Sequence, residues 1–215
     1  MSAELSDCEI NAVRQAVLEA GVWRVAGDFT FASGEQANNK LEIDRLLLPE
    51  NGERRQTVVS ALAKIAMAAK PDLLYGVPSG GQDFARLVGQ KLDLPVISID
   101  KILPQKPGQK NFGYSSDNDQ KMVSTAARLV GIEDVTTTMT SLAAVLTLPG
   151  LAVKTQKMVA IWRRGQPNQE RQLPLPAESL SWIIEQPIPN HIASDCEFYR
   201  AFGHQAVGRL TDIPS

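Results

Sequence analysis

Arg128-Leu129-Val130-Gly131-Ile132-Glu133-Asp134-Val135-Thr136-Thr137-Thr138-Met139-Thr140-Ser141 decides how this chain folds. Its apolar half has the length of a buried strand. Two adjacent carboxylates, Glu133 and Asp134, end it, and a run of hydroxyl side chains follows. Leu142-Ala143-Ala144-Val145-Leu146 then reads as a helix. Strand, acid pair, hydroxyl loop and helix start together make a place to hold a sugar phosphate. N–H groups at a helix N-terminus carry partial positive charge and attract phosphate. Thr and Ser hydroxyls add hydrogen bonds to phosphate oxygens. The carboxylates can accept from ribose hydroxyls or approach a phosphate-bound Mg²⁺. The same residues also suit a plainer role, a strand end followed by a Thr-rich N-cap, because Ser and Thr favour helix starts.

Outward from this stretch, helix and strand signals alternate. Asp7 to Ala20 reads as an amphipathic helix with Ser6 or Asp7 as its cap and Gly21 as its stop. Gly27 to Gly34 reads as a short strand running into a turn, and Leu41-Glu42-Ile43-Asp44 as a second alternating strand. Asn51 to Ala69 has helical periodicity, with Val58, Val59, Leu62, Ile65 and Ala66 on one face. Asp72 to Gly76 is a buried strand that feeds Val77-Pro78-Ser79-Gly80-Gly81, then a helix from about Gln82 to Leu92. A Gly-rich loop between strand and helix can serve as an anion nest, although many α/β turns look alike. Leu94 to Ile99 is the next strand, ending at Asp100-Lys101, and Pro104 to Tyr114 is polar, rich in Gly and Pro, and suits a flexible lid. Lys121 to Ala126 reads as a strand leading into the organising one. Lys157 to Trp162 is a buried strand ending at Arg163-Arg164, Gln166 to Pro176 an exposed loop, and Leu180 to Ile184 a late strand or short helix. A terminal helix is expected over about Ser194 to Val207. The two histidines, His191 and His204, have no acid or thiol placed near them by spacing and read as structural or exposed.

Strands near residues 73, 96, 130 and 158 are almost continuously apolar, which implies a parallel sheet covered on both faces. Sites in such sheets lie at the carboxyl ends of the strands. Gly76 to Gly81, Asp100-Lys101, Glu133 to Ser141 and Arg163-Arg164 are all such ends and are expected to converge. At 215 residues the chain suits a single domain, and net charge −2 supplies no basic field to recruit nucleic acid. No apolar run approaches the roughly 20 residues that span a bilayer, and the first residues carry no basic-then-apolar signal. Cys8 and Cys196 form neither a metal motif nor a disulfide framework and read as free thiols of a cytoplasmic protein.

Glu133 to Ser141 resembles the phosphoribosyl-pyrophosphate (PRPP) signature of type I phosphoribosyltransferases, two acids followed by a Thr/Gly/Ser loop. Phe29-Thr30-Phe31-Ala32-Ser33-Gly34 and Glu42-Ile43-Asp44-Arg45 are similar, at fitting spacing, to the opening segments of orotate phosphoribosyltransferases. The resemblance covers about residues 9 to 164. It implies an α/β fold, a parallel sheet flanked by helices, with a small N-terminal hood over about residues 1 to 45, a core over about 50 to 165 and a C-terminal extension over 166 to 215. It implies that Glu133 and Asp134 face the ribose hydroxyls, that Thr137, Thr138, Met139, Thr140 and Ser141 wrap the 5′-phosphate, and that Ser79, Gly80 and Gly81 bind pyrophosphate through backbone N–H groups. Lys101, Lys106 and Lys110 would support pyrophosphate departure and Asp134 would share in catalysis. Ser33, Lys40 and Arg164 would contact the base, with Arg164 gripping a carboxylate. Solvated lysines in a loop and solubilising arginines at a strand end are the plainer readings of Lys106, Lys110 and Arg164. The partners implied are PRPP and a small base, with Mg²⁺ arriving on PRPP and no metal ligand set of the protein's own, and a homodimer sharing its lid.

Two functions follow from this. The first is transfer of ribose 5-phosphate from PRPP to a pyrimidine-type base, orotate foremost, with release of pyrophosphate. The second is a non-catalytic PRPP- or nucleotide-binding regulatory paralogue. It rests on departures from the family pattern at Ala32, Gly80, Asp100, Met139 and Thr140. A dinucleotide-binding oxidoreductase has little support, since no Gly-x-Gly-x-x-Gly follows a strand.

Overall fold

The computed structural model describes residues 5–30, 36–103 and 111–190. Helix α1 (Asp7–Glu19) is followed by strands β1 (Trp23–Thr30) and β2 (Gln36–Leu41), then α2 (Gly52–Ala68), β3 (Leu73–Gly76), α3 (Gly80–Leu92) and β4 (Val96–Ile97). Next come β5 (Ile99–Ile102), β6 (Asn111–Tyr114), α4 (Asp117–Thr125), β7 (Leu129–Thr136), α5 (Thr140–Val145), α6 (Leu151–Lys154), β8 (Thr155–Arg163) and β9 (Leu180–Glu185). Five strands form one sheet in the order β4-β3-β7-β8-β9, and every neighbouring pair is parallel. The organising stretch is therefore the central strand. β1 with β2 and β5 with β6 make two antiparallel hairpins outside the main sheet.

The alternation of side chains along each strand divides the core into two layers. Leu74, Val130, Ile132, Val159 and Ile161 share one cluster with α1, α2 and α3. Leu73, Tyr75, Leu129 and Met158 join a second cluster with Val123, Leu142, Val145 and Leu151 on the other face. Burial on both faces is why these strands read as unbroken apolar runs. Each fully buried aliphatic side chain contributes about 1.5–3 kcal/mol. The N-terminal segment belongs to the first layer, with Val13, Val17, Trp23 and Leu41 packed together with Leu62 and Leu74. Helix α1 begins with a capping box in which Ser6 Oγ accepts from Glu9 N at 3.3 Å and Glu9 Oε2 accepts from Ser6 N at 2.8 Å. Lys64 of α2 also donates to the Glu9 carboxylate at 2.8 Å, and these bonds hold its pKa down to about 2.

Three local expectations change, and a fourth is decided between its alternatives. Lys121–Ala126 is no strand: Lys121–Thr125 form the end of α4, which Ser116 starts by accepting from Asp119 N at 3.2 Å. Strand β2 stops at Leu41, and Ile43–Leu47 coils into a 3₁₀ turn because Ile43 and Leu46, three apart, are both buried. Asn111–Tyr114 pairs with Ile99–Ile102 instead of belonging to an irregular lid, and the buried Phe112 anchors it. Leu180–Glu185 is a strand, parallel to β8 at the sheet edge. The Phe31–Gly34 segment, the terminal helix and both histidines lie outside the described residues. Among the described residues no helix is long and apolar enough to cross a membrane.

Gly131 sits in the middle of β7 for a packing reason. The Tyr75 ring crosses over it, so a Cβ there would lie 2.7 Å from Tyr75 Cζ and 2.1 Å from Met158 Sδ. The Tyr75 hydroxyl reaches Thr155 Oγ1 at 2.9 Å, and burial raises its pKa so that it stays neutral. Tyr75→Phe is expected to cost about 1 kcal/mol, because Thr155 Oγ1 still donates to Leu151 O at 2.7 Å. Urea denaturation measures this, and a loss beyond about 3 kcal/mol would show that the phenol does more than fill one buried hydrogen bond.

Candidate functional site

The carboxyl ends of β3, β7 and β8 meet on one side of the sheet. After Gly76 the chain turns through Val77–Ser79 and α3 starts at Gly80. This turn packs against the end of β7. A Cβ on Gly80 would lie 2.0 Å from Asp134 Oδ2, and one on Gly81 would lie 2.5 Å from Ile132 O. Any side chain at Gly80 would displace the acid, which accounts for glycine at this position. The Asp134 carboxylate accepts from Val135 N at 2.7 Å and lies beside the first turn of the 13-residue α3, where helix N–H groups favour negative charge. Glu133 lies on the opposite side of the strand, as alternation requires. It is buried, and its Oε1 accepts from Asp134 N at 3.1 Å. The two acids therefore address different loops, Asp134 the Ser79–Gly81 turn and Glu133 the hydroxyl loop.

Glu133 and the loop from Val135 to Leu142 enclose a largely polar cavity of about 160 Å³. Thr138 Oγ1 and Thr140 Oγ1 share a hydrogen bond at 2.9 Å at its edge. Met139 has φ 57° and ψ 13°, the left-handed conformation that glycine adopts at least cost. The chain takes this shape without glycine because the Met139 side chain is buried, lining a void of about 10 Å³ with Leu142, Met158 and Trp182. Left-handed backbone costs roughly 1–2 kcal/mol, and burying a methionine returns about as much or more. Helix α5 has only six residues. Its dipole is correspondingly small, so an anion in this cavity would be held mainly by loop N–H groups and hydroxyls.

Lys101 reaches the first of these loops, with Nζ 3.5 Å from Ser79 Oγ. Gln82 of α3 hydrogen-bonds Ile99 O, which ties the β5–β6 hairpin to the same turn. Ser33, Lys106 and Lys110 lie outside the described residues. Lys40 stands apart from Arg164. It is on the face of β2 opposite the buried Asn39 and pairs with Glu42 at 3.5 Å. Arg164 is buried, and its Nη2 donates to Asn39 Oδ1 at 2.9 Å. Burial lowers its pKa to about 10, still charged at neutral pH. Asn39 Nδ2 in turn donates to Pro189 O at 2.9 Å and Asn190 O at 3.1 Å. Arg163 makes two parallel bonds to Glu170 at 2.8 and 2.7 Å, also bonds Glu185, and lies 4.3 Å over the Trp182 ring. The Glu170 carboxylate is the first cause of its raised pKa. No group of three or more metal-ligating side chains stands together among the described residues.

The structure thus brings together Ser79, Gly80, Gly81, Lys101, Glu133, Asp134 and the loop Thr137–Ser141. It adds residues that spacing did not single out. Asn39 joins the N-terminal hairpin to the end of β8, and Gly165 lets the chain pass directly under the hydroxyl loop, where a Cβ would lie 1.8 Å from Thr137 O. A glycine directly after the basic strand end was the one available sign of the second. The resemblance marked Asn39 only as a departure, with Lys40, in the segment that selects the base, and nothing in the sequence tied it to Arg164.

Neither a protein-family model nor a curated protein sequence matches this chain. Solved structures do share its fold. Orotate phosphoribosyltransferase from Aeropyrum pernix superposes with a TM-score of 0.53 at 18% identity, over 80% of this chain and 93% of that one. Orotate phosphoribosyltransferase from Mycobacterium tuberculosis gives 0.54 at 14%, over 82% and 96%. Adenine phosphoribosyltransferase from Rhodothermus marinus gives 0.58 at 16%, over 84% and 100%. The fold is that of the type I phosphoribosyltransferases.

Proposed function

We propose that this chain is a phosphoribosyltransferase, similar to orotate phosphoribosyltransferase, that moves ribose 5-phosphate from PRPP to a small base and releases pyrophosphate. The observation that supports this best is the pairing of Gly80 with Asp134. An anion nest at Ser79–Gly81 and a hydroxyl loop with its own cavity stand on either side of one acidic strand end. That spacing of two anion sites around ribose-binding acids matches the three parts of PRPP. The 5′-phosphate would occupy the cavity of Thr137–Ser141, Met139 shaping the backbone and Thr138 and Thr140 donating. Glu133 and Asp134 would hold the ribose, and the N–H groups of Ser79, Gly80 and Gly81 would receive pyrophosphate beside Lys101. Mg²⁺ would come on the pyrophosphate and neutralise its charge, with Asp134 as a carboxylate that would help hold it. Lys106 and Lys110 would close over it from the lid, in a homodimer working in the cytoplasm. Catalysis would consist of positioning and of holding charge that develops on the leaving group.

The base is a pyrimidine, orotate first, with Ser33 and Arg164 as its contacts; Lys40, on the opposite face of β2 and paired with Glu42, is not among them. Arg164 already donates from Nη2 to Asn39 Oδ1, so a ligand carboxylate would meet a guanidinium that is partly engaged. A second reading, a PRPP- or nucleotide-binding regulatory protein, draws support from that bond. The expected carboxylate-gripping group is already engaged within the protein. Pyrophosphate release from PRPP and Mg²⁺, with orotate and then with a panel of other bases, separates the readings. Release with orotate is the expected result. Release with a different base alone moves the change to base selection by Asn39 and its neighbours. PRPP binding by calorimetry without release under any base replaces the enzyme by the regulatory protein.

A further inference from the structure

The turn after β8 does more than connect two strands. Thr136 O accepts from Arg164 N at 2.8 Å and from Gly165 N at 3.2 Å, and Thr138 O accepts from Arg171 N at 3.0 Å. Between them, Gly165 lies directly against the Thr137 carbonyl. Three successive residues of the hydroxyl loop thus lean on one short segment, residues 164–171. That segment is held by Arg163 at its start and Glu170 at its end, through a two-bond ion pair whose side chains are 14% and 8% exposed. Trp182, under the Arg163 guanidinium, donates from Nε1 to Thr136 Oγ1 at 2.9 Å, so the same group reaches the loop from β9 as well. Paired forks of this kind fix geometry in addition to contributing energy.

We propose that Arg163 and Glu170 are positioning residues that clamp the 164–171 turn and thereby set the shape of the 5′-phosphate loop. This rests on reading Thr137–Ser141 as that loop. Neither side chain touches the ligand. A flexible loop would have to be ordered at the moment phosphate binds, at a cost in affinity, and the clamp removes that cost in advance.

The test uses the full chain and three variants, Arg163→Met, Glu170→Gln and Arg163→Met/Glu170→Met. Amide hydrogen exchange is followed in peptides covering 136–141 and, as an internal reference, in α2. Each single variant is expected to speed exchange in 136–141 about tenfold or more while α2 keeps its protection, the pattern of a local opening. Exchange in 136–141 that is unchanged, or that rises only in step with α2, overturns the clamp. Calorimetry with ribose 5-phosphate gives the second readout. Each single variant should weaken binding about fivefold or more, and the double variant no further than the worse single, because the pair acts as a unit. Full-strength binding in every variant overturns the clamp, whatever happens to melting temperature. If the unmodified protein binds no ribose 5-phosphate, the phosphate reading of the loop falls, and the exchange experiment still decides whether Arg163 and Glu170 set its shape.

Discussion

Asp134→Asn is expected to lower PRPP turnover about 100-fold or more, the size seen when one preorganised electrostatic contact is removed from an active site. The substitution is nearly isosteric. The new carboxamide would keep an oxygen for the Val135 N–H and the same contact with Gly80, so the fold should change by less than about 1 kcal/mol. What it removes is the negative charge that would hold the ribose hydroxyls and the Mg²⁺ arriving with pyrophosphate beside the first turn of α3. Glu133 does not substitute, since it is on the other side of the strand and faces the hydroxyl loop. Steady-state pyrophosphate release and a thermal melt of the same sample read the two effects separately. Turnover within about threefold of the unmodified protein, with an unchanged melt, would mean that Asp134 does not act on the reacting centre.

Gly165→Ala should produce the largest structural effect of any single methyl group near the site. Its Cβ would meet the Thr137 carbonyl oxygen at 1.8 Å, and the carbon at 2.7 Å. Both atoms are backbone, so no side chain can rotate away. Either the turn lifts or the loop shifts, and the bonds at Thr136 and Thr138 open with it. Overpacking of this kind costs typically about 1–3 kcal/mol, and a collision with backbone belongs at the upper end. For a chain of this size that corresponds to a fall in melting temperature of roughly 6–12 °C. Ribose 5-phosphate affinity should fall about tenfold or more in parallel, since effective positioning tolerates little displacement. A melt within about 2 °C of the unmodified protein, with full binding, would show that the loop and turn are independent.

Much of this molecule is already present in its residue order. Near-continuous apolar runs around Leu74, Val130 and Val159, separated by periodic helices, require a parallel sheet with both faces covered. Ser79-Gly80-Gly81 and Glu133-Asp134 then have to stand at neighbouring strand ends. These are local facts, since alternation, periodicity and strand-end chemistry depend on residues near each other in the chain. Local signals also misled in places. Lys121–Ala126 has the look of a strand, yet the Ser116 cap starts a helix through most of it, and the strand expected over Leu41–Asp44 stops at Leu41 because Ile43–Leu47 coils to bury both Ile43 and Leu46.

The state of Arg164, the role of Gly165 and the Arg163–Glu170 pair were decided by tertiary structure alone. In sequence, Arg164 next to Arg163 reads as a strand end open to a ligand carboxylate or to solvent. Asn39, arriving from 125 residues away, gives its buried guanidinium a hydrogen-bond partner. Met139 looks misplaced in a phosphate loop until Leu142, Met158 and Trp182 supply the apolar surroundings that hold it left-handed. Spacing along the chain specifies which groups can share a strand end. Which partner satisfies a buried charge, and which backbone passes close enough to demand glycine, depends on segments that meet only when the sheet closes.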